Sequence, residues 1–417
     1  MSPAAIAPAA LAPAGPADVY AFWAARLEPA EQAAIAPMWQ RFMAEADALA
    51  DLFDGTVDGD VGLDVPDAMA RILGPFDETV MWEFGPGAMV GADTPHALVL
   101  SSELNHEARP LMHAIMAAAP SHPRLALAEP RPPARTIEAA IDQIAGRTGG
   151  LTITGARVER SQTGTIDVTG IGPGMEFQLA GEALTAFSVL MGEQVERDWF
   201  GEGHGNVIDA PKGGGILGRL LGKAPRPDPH PDWLGGFRDQ VTDLLRMLHD
   251  AVPTERFADQ PGAGEVALYQ LDPTANDWEG DPRRDTITYT TTQSGYFDAR
   301  QQGCRMAARR YTRHVEAFLG LRLARTPDHP FDAVDARSTL SDALNAALRE
   351  RNLGGVWGEG HGQGHVYLDF TTSDIEAALT TAAEVLATAG VTAPADILFD
   401  AAGLEERLLP LRPDSMH

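Results

Sequence analysis

Apolar residues return along this chain with two periods, and those periods divide it into helices and strands. Ile35, Met38, Trp39, Phe42, Ala46, Leu49 and Phe53 recur at spacings of three and four, which is one apolar helix face. Pro37 lies inside the run and predicts a helix start or a kink. Asp54-Gly55 ends it, and an Asp/Gly-rich loop follows to Asp64. Leu111 to Met116 predicts a short helix ending before Pro120. Ile137, Ala140, Ile141 and Ile144 predict a helix over Thr136–Gly146, and Ala183, Leu184, Phe187, Leu190 and Met191 form another stripe. Val80–Phe84 and Ala97–Leu100 read as strands. Leu151, Ile153 and Val158 oppose Ile166, Val168 and Ile171 across Ser161–Gly164, which predicts a β-hairpin.

The second half repeats this mixture. Trp233, Phe237, Val241, Leu244, Leu245 and Leu248 mark a helix, Val266–Leu271 and Thr286–Thr291 strands, and Gly303–Leu319 a further helix. Leu340, Leu344, Ala347 and Leu348 form a helix ended by Gly354-Gly355, and Val366–Phe370 is a strand. Ser373 and Glu376 form a capping box for a helix through Ile375, Leu379, Ala382 and Leu386, which Gly390 closes before a last strand, Ile397–Phe399. Strands and helices mixed without strict alternation imply an α+β protein of two sandwich domains behind an N-terminal helix. The expected layout is a disordered Ala/Pro tail over 1–17, a helical segment over 18–60, a first α+β domain over 61–210, a Gly/Pro linker over 211–232 and a second α+β domain over 233–417. Trp199-Phe200-Gly201-Glu202-Gly203-His204-Gly205 in the first half matches Val356-Trp357-Gly358-Glu359-Gly360-His361-Gly362 in the second, each between a helix and an apolar-Asp strand, so the halves read as an internal duplication.

Composition narrows the classes. The 417 residues carry 32 Lys+Arg against 59 Asp+Glu, a formal charge of −27, which repels nucleic-acid backbones and anionic membranes. No run approaches the length of a membrane-spanning helix, and the N-terminus lacks the basic region of a signal peptide. Cys304 is the one cysteine, so no intramolecular disulfide forms and a cytoplasmic location is expected. Lys212 and Lys223 are the only lysines, and this arginine bias points to a GC-rich bacterial source.

Candidate chemistry centres on the two Gly-Glu-Gly-His-Gly segments. Glycine lets backbone approach a ligand closely, and Glu and His are metal ligands or an acid/base pair. Glu202, His204, Glu359, His361 and His365 are the candidate ligands of a divalent transition metal such as zinc. The structural reading, Gly-rich bends entering strands, is favoured because the spacing alone does not converge the side chains. Asp54, Thr56, Asp58 and Gly59 suggest a calcium loop, but its twelfth position is Val65, where a bidentate carboxylate is required. His106-Glu107 meets Pro110 where a zincin needs histidine, and Gly218–Lys223 lacks the P-loop hydroxyl, since Ala224 follows. Gly213, Gly215 and Gly218 match a dinucleotide fingerprint, yet the prolines from Pro225 cut short the helix it would open. Cys304 reads as a small buried side chain beside Arg305. Arg305, Arg309 and Arg313 share one face of the expected 303–319 helix, a patch for an acidic partner or a carboxylate metabolite, with pairing to the chain's own carboxylates favoured.

Five short segments stand together as Trp82-Glu83-Phe84, Ala97-Leu98-Val99-Leu100-Ser101, a helix ending in Ala119-Pro120, Arg131-Pro132-Pro133, and Leu190-Met191-Gly192-Glu193. This pattern resembles a group of uncharacterised bacterial α+β proteins, over about a third of the chain, with Ser121-His122-Pro123 where a tryptophan often follows the Ala-Pro. The resemblance implies the α+β fold and brings no catalytic residues or cofactor. The expectation is therefore a non-enzymatic, cytoplasmic accessory or regulatory protein that binds another protein, with a basic partner favoured by the acidic surface, as in an immunity or inhibitor role. The competing expectation is a metal-dependent hydrolytic enzyme built on the two Gly-Glu-Gly-His-Gly segments.

Overall fold

The computed structural model describes residues 15–55, 64–103, 105–208, 232–260, 266–273, 283–301, 307–325 and 334–411. The architecture is α+β, as the mixed periodicity implies. The chain divides into two compact units, one of residues 1–8, 33–104 and 115–251, the other of residues 9–32, 105–114 and 252–417. The expected linker, apart from Asp232, lies outside the described residues, as do Cys304, Arg305 and the interior of the Asp54–Val65 loop. Among the described residues no helix is long and apolar enough to cross a membrane.

The N-terminal helices are α1 (Val19–Ala24), capped by the Asp18 carboxylate, and α2 (Pro29–Phe53), which runs through Pro37. In the first unit the apolar stripe of α2 buries Met38, Trp39, Phe42 and Leu49, and the Trp39 indole donates to the Ile115 carbonyl at 2.9 Å. Helix α3 (Val65–Leu73) follows, with Asp64 as its N-cap. Strand β1 (Met81–Pro86) pairs antiparallel with β2 (His96–Ser101), and β2 runs parallel to β3 (Leu125–Ala128). Helix α4 (Arg109–Ala117) lies between β2 and β3 in sequence. After α5 (Ile137–Thr148), the expected hairpin forms as β4 (Gly155–Arg160) and β5 (Ile166–Gly172), with Val158 opposite Val168. Helices α6 (Glu176–Met191) and α7 (Glu193–Trp199) then cross to β6 (Phe200–Val207), parallel to β5. Helix α8 (Asp232–Ala251) buries Phe237, Val241 and Leu245 and packs on β4.

The second unit is built on one antiparallel sheet. Its strands are β7 (Ala267–Gln270), β8 (Thr286–Thr291), β9 (Ala317–Ala324), β10 (Gly354–Gly362), β11 (His365–Thr372), β12 (Ala395–Phe399) and β13 (Leu408–Pro410), in spatial order β13-β12-β9-β11-β10-β8-β7. Alternation assigns the faces. Leu319, Leu321 and Leu323 on β9 and Val366, Leu368 and Phe370 on β11 point to one side. That side is closed by Leu340, Leu344 and Leu348 of α10 (Val334–Glu350) and by Ile375, Leu379 and Leu386 of α11 (Ile375–Thr388). Ala17 and the α1 residues Tyr20, Phe22 and Trp23 belong to this core, with Phe22 and Trp23 against Phe399 at centroid distances of 5.4 and 5.2 Å.

The opposite face carries an aromatic cluster, Phe257, Tyr289, Tyr296, Phe297, Phe318 and Trp357, covered by α9 (Ser294–Gln301). A bulge between Val356 and Gly358 turns Trp357 onto this face. Beside the aromatics lies a buried charge network. Arg283 donates 2.7 Å bonds to Asp369 and to Asp400, and Arg300 reaches the same carboxylates at 3.2 and 3.4 Å. Tyr289 donates its hydroxyl to Asp369. Burial alone would raise Asp369, but the two guanidinium groups and the phenol hold its carboxyl below the usual range.

The structure corrects two sequence expectations. The helix expected over Gly303–Leu319 does not form where the chain is described: residues 308–310 make a single 3₁₀ turn and β9 begins at Ala317. The stretch Phe318–Leu323 alternates between two covered faces, which a strand satisfies and a helix does not. The α11 cap is Asp374, whose carboxylate accepts from Ala377 N at 3.0 Å, one residue after the expected Ser373. Gly390 does end that helix, at φ +70°.

Replacing Asp369 by Ala leaves two buried arginines facing one carboxylate. The expected cost is ~3–5 kcal/mol, read as a lower urea midpoint; an unchanged midpoint would show that the network carries no stability.

Candidate functional site

Both Gly-Glu-Gly-His-Gly segments are strand interiors, not loops. Alternation sends the glycines to one face and Glu and His to the other. On β10 a Cβ at Gly358 or Gly360 would sit within 3.0 Å of Tyr289, and one at Gly362 equally close to Asp285. On β6 a Cβ at Gly205 would sit within 3.0 Å of the Glu176 backbone in α6, and one at Gly201 equally close to Asp167 and Thr165. The glycines therefore serve close packing within each unit. The surroundings of the two segments differ, since β6 runs parallel to β5 while β10 pairs antiparallel with β8 and β11.

Glu359 and His361 project from β10 toward α10. Glu359 accepts from the Ser338 hydroxyl at 3.0 Å and lies 3.7 Å from Nε of Arg337. His361 Nδ1 lies 2.7 Å from the Thr288 hydroxyl and 3.3 Å from Arg337 Nη1. A guanidinium can only donate, so Nδ1 is the acceptor in the contact with Arg337. His365 starts β11 and points to the other face of the sheet, because His361 pairs with Val366 and alternation turns its neighbour away. There it meets Asp285 at 3.3 Å, and Asp285 also accepts from Gly364 N at 2.7 Å and from the Tyr367 hydroxyl. Burial raises Asp285, yet those three donors together hold its carboxyl below the usual range, and Tyr367 is raised by burial and by Asp285. So Glu359 and His361 come together and His365 does not join them.

In the first unit Glu202 and His204 share the solvent side of β6, with Nε2 of His204 3.7 Å from the Glu202 carboxylate and both side chains at least half exposed. Among the described residues no group of three or more His, Cys, Asp and Glu side chains is placed to hold a metal ion. Arg309 lies in the 3₁₀ turn, and Arg313 beyond it donates to the Val252 carbonyl at 3.1 Å. Their four-residue spacing does not set them on a helix face, and Arg305 lies outside the described residues.

A buried polar cluster in the first unit was not singled out as a site from the sequence. It sits where β2 and β3 end side by side in the first unit, the end of a parallel pair at which loops and helix termini gather. Glu193, fully buried at the start of α7, accepts from Ser101 Oγ at 2.8 Å and from Arg131 N at 3.1 Å. Arg197, one turn on, pairs with Glu193 and donates to Glu129 at 2.8 Å and Ser102 at 3.0 Å. Arg131 and Arg147 both donate to Glu83, at 2.7 and 2.8 Å. Glu83, Ser101, Arg131 and Glu193 belong to the segments that carry the resemblance noted above. Those segments, dispersed over more than a hundred residues, meet here; their convergence is the signal that periodicity could not supply. Every arginine of this cluster is matched by carboxylates, so the arrangement braces α7 against two strands.

Compared with known proteins, the chain matches no family model, no curated sequence and no solved structure.

Glu196 sits beside this cluster and is buried. Burial pushes its carboxyl above the ordinary 4.5, Ser188 draws it back by a hydrogen bond, and the neighbouring Glu193 pushes it up again. The folded state thus holds this proton more tightly than the unfolded chain. Its contribution to stability is complete below the ordinary value and is lost as pH rises through the raised one. Glu196→Gln is expected to melt above wild type at pH 7, with the gap closing on acidification; a gap that stays constant from pH 7 to pH 4 would refute the shift.

Proposed function

We propose that this chain is a non-enzymatic accessory protein that binds another protein, and that the open edge of β6 is where the partner docks. The observation that carries this reading is an apolar patch on an unpaired strand edge. Met175, Phe177, Val207 and Ile208 are all exposed, Phe177 at 72%. They lie together because Gly205 of β6 is pressed onto the Glu176 backbone at the start of α6. Among the described residues β6 has a sheet neighbour, β5, on one side only. Edge strands with free N–H and C=O groups accept an added strand, and adjacent apolar side chains give such pairing affinity. Exposed apolar groups clustered this way mark an interaction surface more often than scattered ones do.

Charge fits the same reading. The net −27 favours basic partners through long-range attraction, and Glu202 on the edge strand adds acidity locally. A bacterial, cytoplasmic setting belongs to this proposal.

The test compares affinity capture on the wild-type chain and on Phe177→Glu, followed by calorimetric titration of each identified partner. A basic partner retained by wild type and bound at least ~10-fold more weakly by the variant supports the docking edge. Identical capture profiles for the two chains would overturn it.

A further inference from the structure

We propose that two copies of this chain pair through β6, joining their three-stranded β4-β5-β6 sheets edge to edge around a two-fold axis at Gly203. The inference rests on the reading of the β6 edge as a docking surface, and it names the occupant that covers the edge when the chain is alone.

The backbone supplies the first argument. Ile208 N donates to the Gly172 carbonyl at 2.9 Å, and Glu202 N to the Asp167 carboxylate at 3.0 Å, so the even-numbered groups of β6 point to β5. Alternation then turns the N–H and C=O of Gly203, Gly205 and Val207 outward, to the side where β6 has no sheet neighbour among the described residues. Gly203 and Val207 are exposed, and Gly205 is half-buried. An antiparallel copy centred on Gly203 meets these groups with its own. Gly203 then faces Gly203 of the second copy in a pair that exchanges both hydrogen bonds.

Charge selects that register. Glu202 and His204 flank the axis on the solvent side of the strand, both exposed. Centring on Gly203 sets Glu202 opposite His204 of the second copy, and His204 opposite its Glu202. These are non-hydrogen-bonded positions, where facing side chains come closest. A register centred on Glu202 or on His204 would set like opposite like. Helix α6 obeys the same axis. Gly170 of β5 packs against Leu179 and Ala183, whereas Gly205 and Gly203 of β6 approach the backbone of Glu176 and Ala180, so α6 straddles both strands. Turning away from β5, the next positions are Ala180, Leu184 and Phe177, a stripe at spacings of three and four. Phe177 is exposed, and Ala180 and Leu184 are half-buried. A strand spacing of ~4.8 Å sets α6 and its copy about 10 Å apart, an ordinary helix-packing distance. A Cβ at Gly203 would lie 3.4 Å from the Ala180 carbonyl, so the two helices cross at small Ala180 side chains. Phe177 of each then lies on Leu184 of the other. Backbone, charge and helix stripe share one two-fold.

The test is the mass of the full chain by sedimentation velocity over a concentration series. Salt is held at ~0.15 M, where repulsion between two chains of −27 each is screened beyond ~8 Å. A reversible monomer–dimer equilibrium is expected. Phe177→Glu should weaken it at least ~10-fold. Glu202→Lys and His204→Glu should each weaken it at least ~3-fold, because each removes or reverses the cross-strand attraction. All three residues are exposed, so the variants keep the folded core. Mixing the two charge variants should restore the dimer, since the introduced lysine then faces the introduced glutamate. A chain that stays monomeric at every concentration overturns the inference and leaves the partner reading standing, because partner capture is measured separately. A dimer that all three substitutions leave unchanged also overturns it. So does a mixture that pairs no more tightly than either charge variant alone.

Discussion

A strand can press its backbone against a neighbouring layer only where it carries no Cβ, and much of this molecule depends on that constraint being met by alternation. On β10 the glycines at 358 and 360 give Tyr289 the space to lie across the strand, within reach of Asp369. On β9 Gly320 leaves room for the Arg283–Asp369 pair, since a Cβ there would sit within 3.0 Å of Arg283. On β6 Gly205 lets the first turn of α6 touch the sheet. A methyl group on Gly358, Gly360 or Gly205 displaces a packed ring or backbone, and one on Gly320 displaces the paired ends of Arg283 and Asp369. The close approach costs the strand its own side-chain contacts, and the partner layers replace them with aromatic area and charge pairs.

Charge burial is the second organising fact. An acidic chain whose cations are nearly all arginine forms two buried networks, one in each unit. In the first, Arg197 and Arg131 tie α7 to the ends of β2 and β3. In the second, Arg283 and Arg300 tie α9 and the turn before β8 to β11 and to Asp400. Arginine suits this role because its planar fork serves two acceptors at once, whereas lysine offers a single strongly hydrated point. Such networks specify which elements meet, since a mismatched partner would leave a charge buried alone.

The helical stripes were legible because each repeats over several turns. The faces of α2, α5, α6, α8, α10 and α11 are those the spacing indicated, and the hairpin of β4 and β5 forms about the expected turn, although Leu151 and Ile153 precede β4. The stretch before β9 misled because Arg305, Arg309 and Arg313 repeat at helical spacing without an apolar stripe to bury. Polar periodicity has no packing energy behind it. The Gly-Glu-Gly-His-Gly segments also misled, since glycine clusters signal turns locally, and only neighbouring strands reveal that these glycines are spaces for other residues.

The sequence by itself determined where the long amphipathic helices run, that the fold is α+β, and that the chain is acidic. These follow from local periodicity and from counting. Tertiary structure alone decided that Glu359 and His361 face Arg337 while His365 faces Asp285, because sheet register assigns sides and a shift of one residue reverses them. It alone brought Glu83, Ser101, Arg131 and Glu193 into one cluster, because contacts between residues so far apart in the chain leave no periodic trace in it.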